Sequence, residues 1–409
     1  MENISSGSSF VPANRLNGIE LSPIVQIQAT AGELRAQGVD VIGLGTGEPD
    51  FDTPDHIKEA AIKAIRDGDT KYPLTGGTAA LKKAIVDKFA RENALEFVPP
   101  EVIVCTGAKQ VLFNAIMASV NPGDEVIIPT PYWGVYSDIV RIAGGVPVML
   151  ACGQSEGFRL TPSQLEEAIN PRTGWVMLNY PNNPSGAAYD LDGLAQLLAV
   201  LEAHPHVWVL SDEIYEHLVY DGIEHASVLA VAPWLRDRCL TVNGVSKAYA
   251  MTGWRIGYAA GPAEIISSMV AVQGHVTSGA SSISQAAAVA ALNGPQEIVR
   301  ERGQAFQGRR DLVVGMLNQA SGIDCANPEG AFYVFPSCEG VLGRRKPNGT
   351  LLSNEMDFCE YLLKDHGVAV VPGAVFGSPG HFRISYAYAE TALEEACRRI
   401  QTACGALRD

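Results

Sequence analysis

From residue 40 onward, short apolar runs alternate with longer stretches whose apolar residues recur at helical spacing. The runs VDVIGLG (39–45), EVIVCTG (101–107), DEVIIP (124–129), GVPVML (145–150), GWVMLN (174–179), HVWVLSD (206–212) and CLTVNGVS (239–246) predict strands. Between them, Gly76 to Asn93 and Lys109 to Ser119 predict helices. Strands this apolar, separated by helices, predict an α/β fold with a mostly parallel central sheet covered on both faces. Residues 1 to about 30 are polar and irregular, and a helix is expected over Ile27 to Gln37. Near residue 295 the character shifts: a long helix (Pro295 to Gln319) leads into GAFYVFP (330–336), further helices and HFRISYA (381–387). The expected division is an N-terminal segment (1–45) contributing to a small α+β domain, a large domain (46–294), and a long connecting helix with the small C-terminal domain (295–409).

Composition narrows the function classes. The net charge of −15 and a pI near 5.0 argue against nucleic acid and anionic membranes as partners. An anionic ligand must then be held by local positive groups. The N-terminal stretch has no basic, apolar leader pattern, and no apolar run approaches membrane-spanning length. Eight cysteines without a C-x-x-C pair read as buried thiols of a reduced compartment, the cytoplasm. The His204–His206 pair, HPH, reads as a loop before a strand, and no metal is expected.

In open α/β sheets a ligand sits outside the carboxyl ends of the strands, so the residues there carry the chemistry. They are Gly45 to Pro49, Thr106 to Lys109, Pro129 to Trp133, Asn179 to Gly186, Asp212 to Tyr215, and Ser246 with Lys247. A lone lysine is usually solvated. At an enclosed strand end, burial lowers its pKa and makes it a nucleophile toward a carbonyl. Ser246 and Arg255 are phosphate-binding types, and Gly107-Ala108-Lys109 opens a helix whose amides and dipole favour an anion. Asp212 reads as a helix cap or turn residue, or as a buried carboxylate that keeps a ring nitrogen protonated. Tyr215 could donate to the same ring, Asn183 to a phenolate oxygen, and Tyr132 or Trp133 could stack on a planar ligand. A lysine for an imine, a carboxylate for a pyridinium and a phosphate cradle together are the needs of pyridoxal 5′-phosphate.

The motifs SKAYAMTGWRIGY, NYPNNPSG, SDEIYEHL and TKYPLTGG occur together, and nearly the whole chain resembles the class I aminotransferases of fold type I, close to the bacterial aspartate and prephenate subgroup. The resemblance implies a ping-pong exchange of an amino group between an amino acid and a 2-oxo acid. It implies Lys247 as the imine lysine, Asp212 on the pyridine nitrogen, Asn183 and Tyr215 on the ring hydroxyl, and Trp133 stacked on the ring. Gly107, Ala108, Lys109, Ser246 and Arg255 would line the phosphate site. Tyr72 would reach the phosphate of a neighbouring subunit, which implies a homodimer with shared sites. Gly45 would lie near the substrate, and Arg383 would grip its α-carboxylate and give a reason for domain closure. Aspartate is the expected donor, with aromatic, alanine-like or specialised amino acids as alternatives, and oxidation, elimination or cyclisation as a different chemistry on the same fold. Its distal carboxylate has no arginine in 271–282, where His275, Thr277 and Ser278 are the notable polar side chains, so Arg15 with Ser22 is a candidate; Ile24 stands where a hydroxyl is expected, and Tyr180 is expected to alter the pocket beside the ring.

Overall fold

The computed structural model describes residues 10–19 and 23–409. Seven strands form the main sheet: β1 (Val102–Thr106), β2 (Glu125–Thr130), β3 (Val146–Ala151), β4 (Thr173–Asn179), β5 (Trp208–Asp212), β6 (Cys239–Gly244) and β7 (Ile256–Ala260). Their order is β1-β7-β6-β5-β4-β2-β3. Every neighbouring pair is parallel except those made by β7, which runs antiparallel to both β1 and β6. The six expected strands from 101 to 246 are present within a few residues of their expected bounds. The seventh, β7, was not expected: IGYAA is a short run of mostly small residues between Arg255 and Gly261, without the β-branched density that marks its neighbours. The expected strand at 39–45 is only Ile42–Gly43, and it lies outside the main sheet, pairing in parallel with Val368–Ala369.

Alternation along the strands distributes their side chains between two cores. Val102 and Val104 join a cluster under the helices Asp55–Arg66, Ala79–Asn93 and Ser282–Asn293. Ile103 and Cys105 join another under Ala108–Ser119, Val135–Ile142 and Ala263–Gly274. Both faces are therefore apolar, which is why the strands read as continuous apolar runs. A third cluster gathers Phe306, Val313 and Leu317 of the long helix Glu297–Leu317 with Phe332, Val334 and Ile384. Around it Phe382–Ser385 is the middle of a three-stranded antiparallel sheet with Val371–Pro372 and Tyr333–Val334. Leu44 and Tyr215 belong to this third cluster too, so it abuts the carboxyl end of the main sheet. The helix that begins the described N-terminal region is Pro23–Ala36, with Pro23 at a position where a missing N–H costs nothing. All eight cysteines are buried free thiols, and no helix among the described residues is long and apolar enough to cross a membrane.

Candidate active site

A cavity of about 340 Å³ opens at the carboxyl ends of β1, β4, β5 and β6, closed on the other side by residues 45–48, Tyr333 and Arg383. It gathers Gly45, Ala108, Lys109, Trp133, Asn183, Asp212, Tyr215, Ser246, Lys247, Arg255 and Arg383 from segments up to 338 residues apart. Gly107 is beside it, and Tyr72, 93% exposed, is not on it.

Lys247 donates from Nζ to the Gly47 carbonyl at 2.7 Å. Burial, helped by the repulsion of Arg383, brings its pKa down to about 8. Asp212 is buried, with Oδ2 accepting from the Tyr136 hydroxyl at 2.7 Å and Oδ1 from the Ile214 amide at 3.3 Å. Burial pushes its carboxyl up to about 6, against those hydrogen bonds. A buried carboxylate in this state gains most from a cation, such as a protonated ring nitrogen, placed against it.

The sign of that shift makes a prediction for the cofactor-free protein. A folded pKa near 6 above the ordinary 3.8 means that stability from this site is full below 3.8 and is lost as pH rises through 6, a change of about 3 kcal/mol. Asp212→Asn has no such proton to lose. Thermal melts of the two cofactor-free proteins should therefore diverge in the variant's favour between those pH values; a constant gap would refute the assignment.

One end of the cavity is tightly built. Gly107 has φ +84°, and a Cβ there would lie 2.4 Å from Arg255 Nη2; a Cβ at Gly257 would lie 2.1 Å from the Ala108 amide nitrogen. Only glycine lets the guanidinium and the first amides of the helix Ala108–Ser119 come so close. Arg255, in the left-handed region at φ 58°, donates from Nη1 to the Thr252 carbonyl at 2.8 Å. Lys109 stands with Nζ 4.9 Å from the centre of the Trp133 ring, a cation on an aromatic face.

At the other end, Arg383 is buried. Nη1 donates to Asn183 Oδ1 and Nη2 to the Gly45 carbonyl, each at 2.7 Å, while the buried Nε has no partner. Arginine only donates, so the atom of Asn183 facing it must be the oxygen, and the amide NH2 is the end left to donate. The Tyr215 and Tyr333 hydroxyls are 2.8 Å apart. These donors and acceptors fit a planar phosphorylated pyridine carrying an amino acid: cradle, ring acid, phenol, lysine, and an orphaned guanidinium N–H for a carboxylate.

Several participants escaped the sequence. Tyr136 and Tyr333 touch Asp212 and Tyr215 yet end no strand of the main sheet. Tyr136 had one available signal, its place in the first turn after the flagged Trp133. Gln28 lines the cavity from the N-terminal helix and donates to Thr46 Oγ1 at 2.8 Å, beside the Ile24 already singled out in the sequence. Two expectations are corrected. Tyr180 is not on the cavity wall; its ring packs edge-on 4.5 Å from that of Tyr189. Arg15 is exposed and absent from the cavity wall, and Ser22 lies outside the described residues. His204 sits before β5 and faces Glu166 at 3.2 Å.

Comparison with known proteins finds the same arrangement of sequence. Residues 39–400 match the family described as aminotransferase class I and II. The chain is 58% identical over 400 residues to the aspartate aminotransferase of Rhizobium meliloti strain 1021, covering 98% of each. It is 54% identical over 395 residues to the aspartate/prephenate aminotransferase of Cereibacter sphaeroides, covering 97% of this chain and 99% of that one. Among solved structures, the Rhizobium meliloti aspartate aminotransferase superposes with a TM-score of 0.96 at 58% identity, over 98% of this chain and 100% of that one. The Thermus thermophilus aspartate aminotransferase with maleate does so with a TM-score of 0.89 at 42% identity, over 96% and 100%.

Proposed function

The chain belongs to the aminotransferase class I and II family, and on that premise we propose that it is a pyridoxal 5′-phosphate-dependent aminotransferase whose preferred donor is aspartate and whose acceptor is a 2-oxo acid such as 2-oxoglutarate. The single observation that carries the cofactor is the joining of Lys247, Asp212 and the Gly107–Arg255 cradle on one cavity. Arg255, Ser246 and the amides of Ala108 and Lys109 would hold the phosphate. Asp212 would hold the ring nitrogen, Tyr215 and Asn183 the ring hydroxyl, Trp133 the ring face, and Lys247 the aldehyde carbon. When bound, the cofactor supplies an electron sink for the bonds of the substrate Cα.

The remaining work falls to the chain. Arg383 turns its guanidinium from Asn183 and Gly45 toward the α-carboxylate and orients the substrate. Lys247 would carry the Cα proton on Nζ, and a pKa near 8 suits it to both take and return that proton near neutral pH. Closure of the Arg383 side over the sheet side would exclude water.

For the donor, the cavity wall has four cations: Lys247, Arg255 and Arg383 have the roles above, and Lys109 remains to face a distal carboxylate as well as the phosphate. Maleate in the Thermus relative is such a dicarboxylate. Ile24 and Trp133 give an apolar wall that favours a ring-bearing acid as a second reading, and the Cereibacter relative is named for prephenate. Stopped-flow spectra with aspartate, glutamate, phenylalanine, alanine and arginine decide between them. Aspartate should convert the bound cofactor to its amine form fastest, and 2-oxoglutarate or prephenate should restore it. Lys109→Ala should raise the aspartate KM roughly tenfold while sparing phenylalanine. Oxygen uptake with a persistent long-wavelength band would sink transamination.

We further infer a homodimer. Tyr72, Leu74 and Val276 are 93%, 75% and 56% exposed, and the Leu74 carbonyl lies against Gly279, so the segment carrying Tyr72 and Leu74 adjoins the one carrying Val276. Tyr72 would reach the phosphate in the partner's cavity. Tyr72→Phe should weaken cofactor binding by roughly tenfold; a monomer in sedimentation that retains stoichiometric cofactor would exclude this. The buried thiols suit a reducing compartment, and the cytoplasm is the proposed location.

A further inference from the structure

Beneath the cavity lies a buried polar group that the mechanism leaves unused. Tyr215 and Glu216 are consecutive, but the phenol lines the cavity and the carboxylate turns away from it into the core. Glu216 Oε1 accepts from Lys88 Nζ, whose side chain is wholly buried, and from Asn243 Nδ2 at 2.7 Å. Oε2 accepts from Asn93 Nδ2 at 2.8 Å. Lys88 also donates to Asn93 Oδ1 at 2.8 Å and stands 3.7 Å from Glu92. At the rim, His217 lies 3.0 Å from Glu92 and 3.6 Å from Glu216. Nearby, Glu213 accepts from the Ser211 and Ser227 hydroxyls at 2.8 and 3.0 Å, with His225 at 3.3 Å. Burial alone would raise the Glu216 carboxyl; the charges of Lys88, His217 and His225 and the Lys88 hydrogen bond together outweigh it and hold the group far below the usual range. These acids already have protein donors, which leaves no reason to invoke a metal among them.

A buried ion pair is weak evidence for stability, because well-packed apolar side chains often replace one at no loss. The geometry supplies a different role. Glu216 belongs to the turn that follows β5, the strand that ends in Asp212, and the same turn carries Tyr215. Asn243 lies on β6, next to Val242, the partner of Asp212 across the sheet, and four residues before Lys247. Its own Oδ1 accepts from the Gly244 amide at 2.7 Å, which fixes the NH2 toward Glu216. The Glu216–Asn243 bond thus spans the two strand ends whose side chains must meet on one ring. Lys88 and Asn93, from the helix Ala79–Asn93, brace the carboxylate from behind.

We propose that the Glu216–Asn243 hydrogen bond, and not the charge of the Lys88–Glu216 pair behind it, is a positioning strut that sets Tyr215 against Lys247. The inference rests on Tyr215 and Lys247 both engaging the cofactor. Two variants of the holoenzyme separate the link from the charge. N243A cuts the link and keeps the ion pair. K88M/E216Q removes both charges and keeps an amide oxygen for Asn243. The readouts are the pH midpoint of the bound cofactor's absorbance change, kcat and KM taken separately, and Tm. N243A should move the midpoint and lower kcat by roughly tenfold, with KM within about twofold. K88M/E216Q should keep midpoint and kcat near the parent values and alter Tm alone. A parental midpoint and kcat in N243A would overturn the strut, as would a double variant with the same midpoint shift as N243A. If the double variant does not fold, N243A alone decides. Failure of the underlying functional reading would show instead as a parent enzyme whose cofactor spectrum does not respond to any amino donor.

Discussion

Lys247→Ala is expected to lose turnover by roughly 10⁴-fold, about 5 kcal/mol of barrier, while still binding the cofactor. The reasoning is local. Lys247 ends the segment after β6, is bonded to the Gly47 carbonyl, and has its ammonium disfavoured by burial and by Arg383. No other amine shares this position: Lys109, the second lysine on the wall, stands over Trp133 beside the phosphate cradle. The proton on the substrate Cα therefore loses its only poised acceptor. Single-turnover spectra check this, since loss of the lysine should slow proton transfer and leave the first binding step intact. A variant that turns over at the parent rate would remove Lys247 from the mechanism.

Arg383→Lys should lower kcat/KM for every substrate by roughly 10²-fold, about 3 kcal/mol, with the cofactor spectrum of the resting enzyme unchanged. A lysine keeps the charge but not the fork. It would leave either Asn183 Oδ1 or the Gly45 carbonyl without its donor, and it offers a carboxylate one point of contact in place of two. Because the α-carboxylate is common to all amino acids, the loss should be uniform across donors. A loss confined to aspartate would instead assign Arg383 to the side chain.

The strand ends that hold Lys247, Asp212 and the Gly107 turn were legible because each follows a run whose apolarity is forced by burial on both faces. Such a run reports its own position. The antiparallel β7 was not legible: its run is interrupted by Gly257, which is required where the chain packs on the Ala108 amide, and that demand comes from the start of a helix far away in sequence. The same limit explains Tyr136 and Tyr333. Each becomes relevant through one hydroxyl contact, with Asp212 and Tyr215 respectively, and no local pattern records a contact made across 76 or 118 residues. Tyr180 failed in the opposite sense. Its place in the motif put it near the ring, but a residue can turn to either side of a strand end, and Tyr189 offered the better packing.

The placement of β7 also bears on how the molecule is made. Thr106 pairs with Ile256, so the cradle between Gly107 and Arg255 closes a very long loop of chain. On a ribosome, β1 emerges early and must wait without its one strand partner until β7 arrives, whereas β2, β3 and β4 can already associate. Non-local pairing of this kind is the slow part of folding. The cradle between Gly107 and Arg255 is then among the last features to form, and a nascent chain that ends before β7 has Asp212 in place but no guanidinium opposite the Gly107 turn.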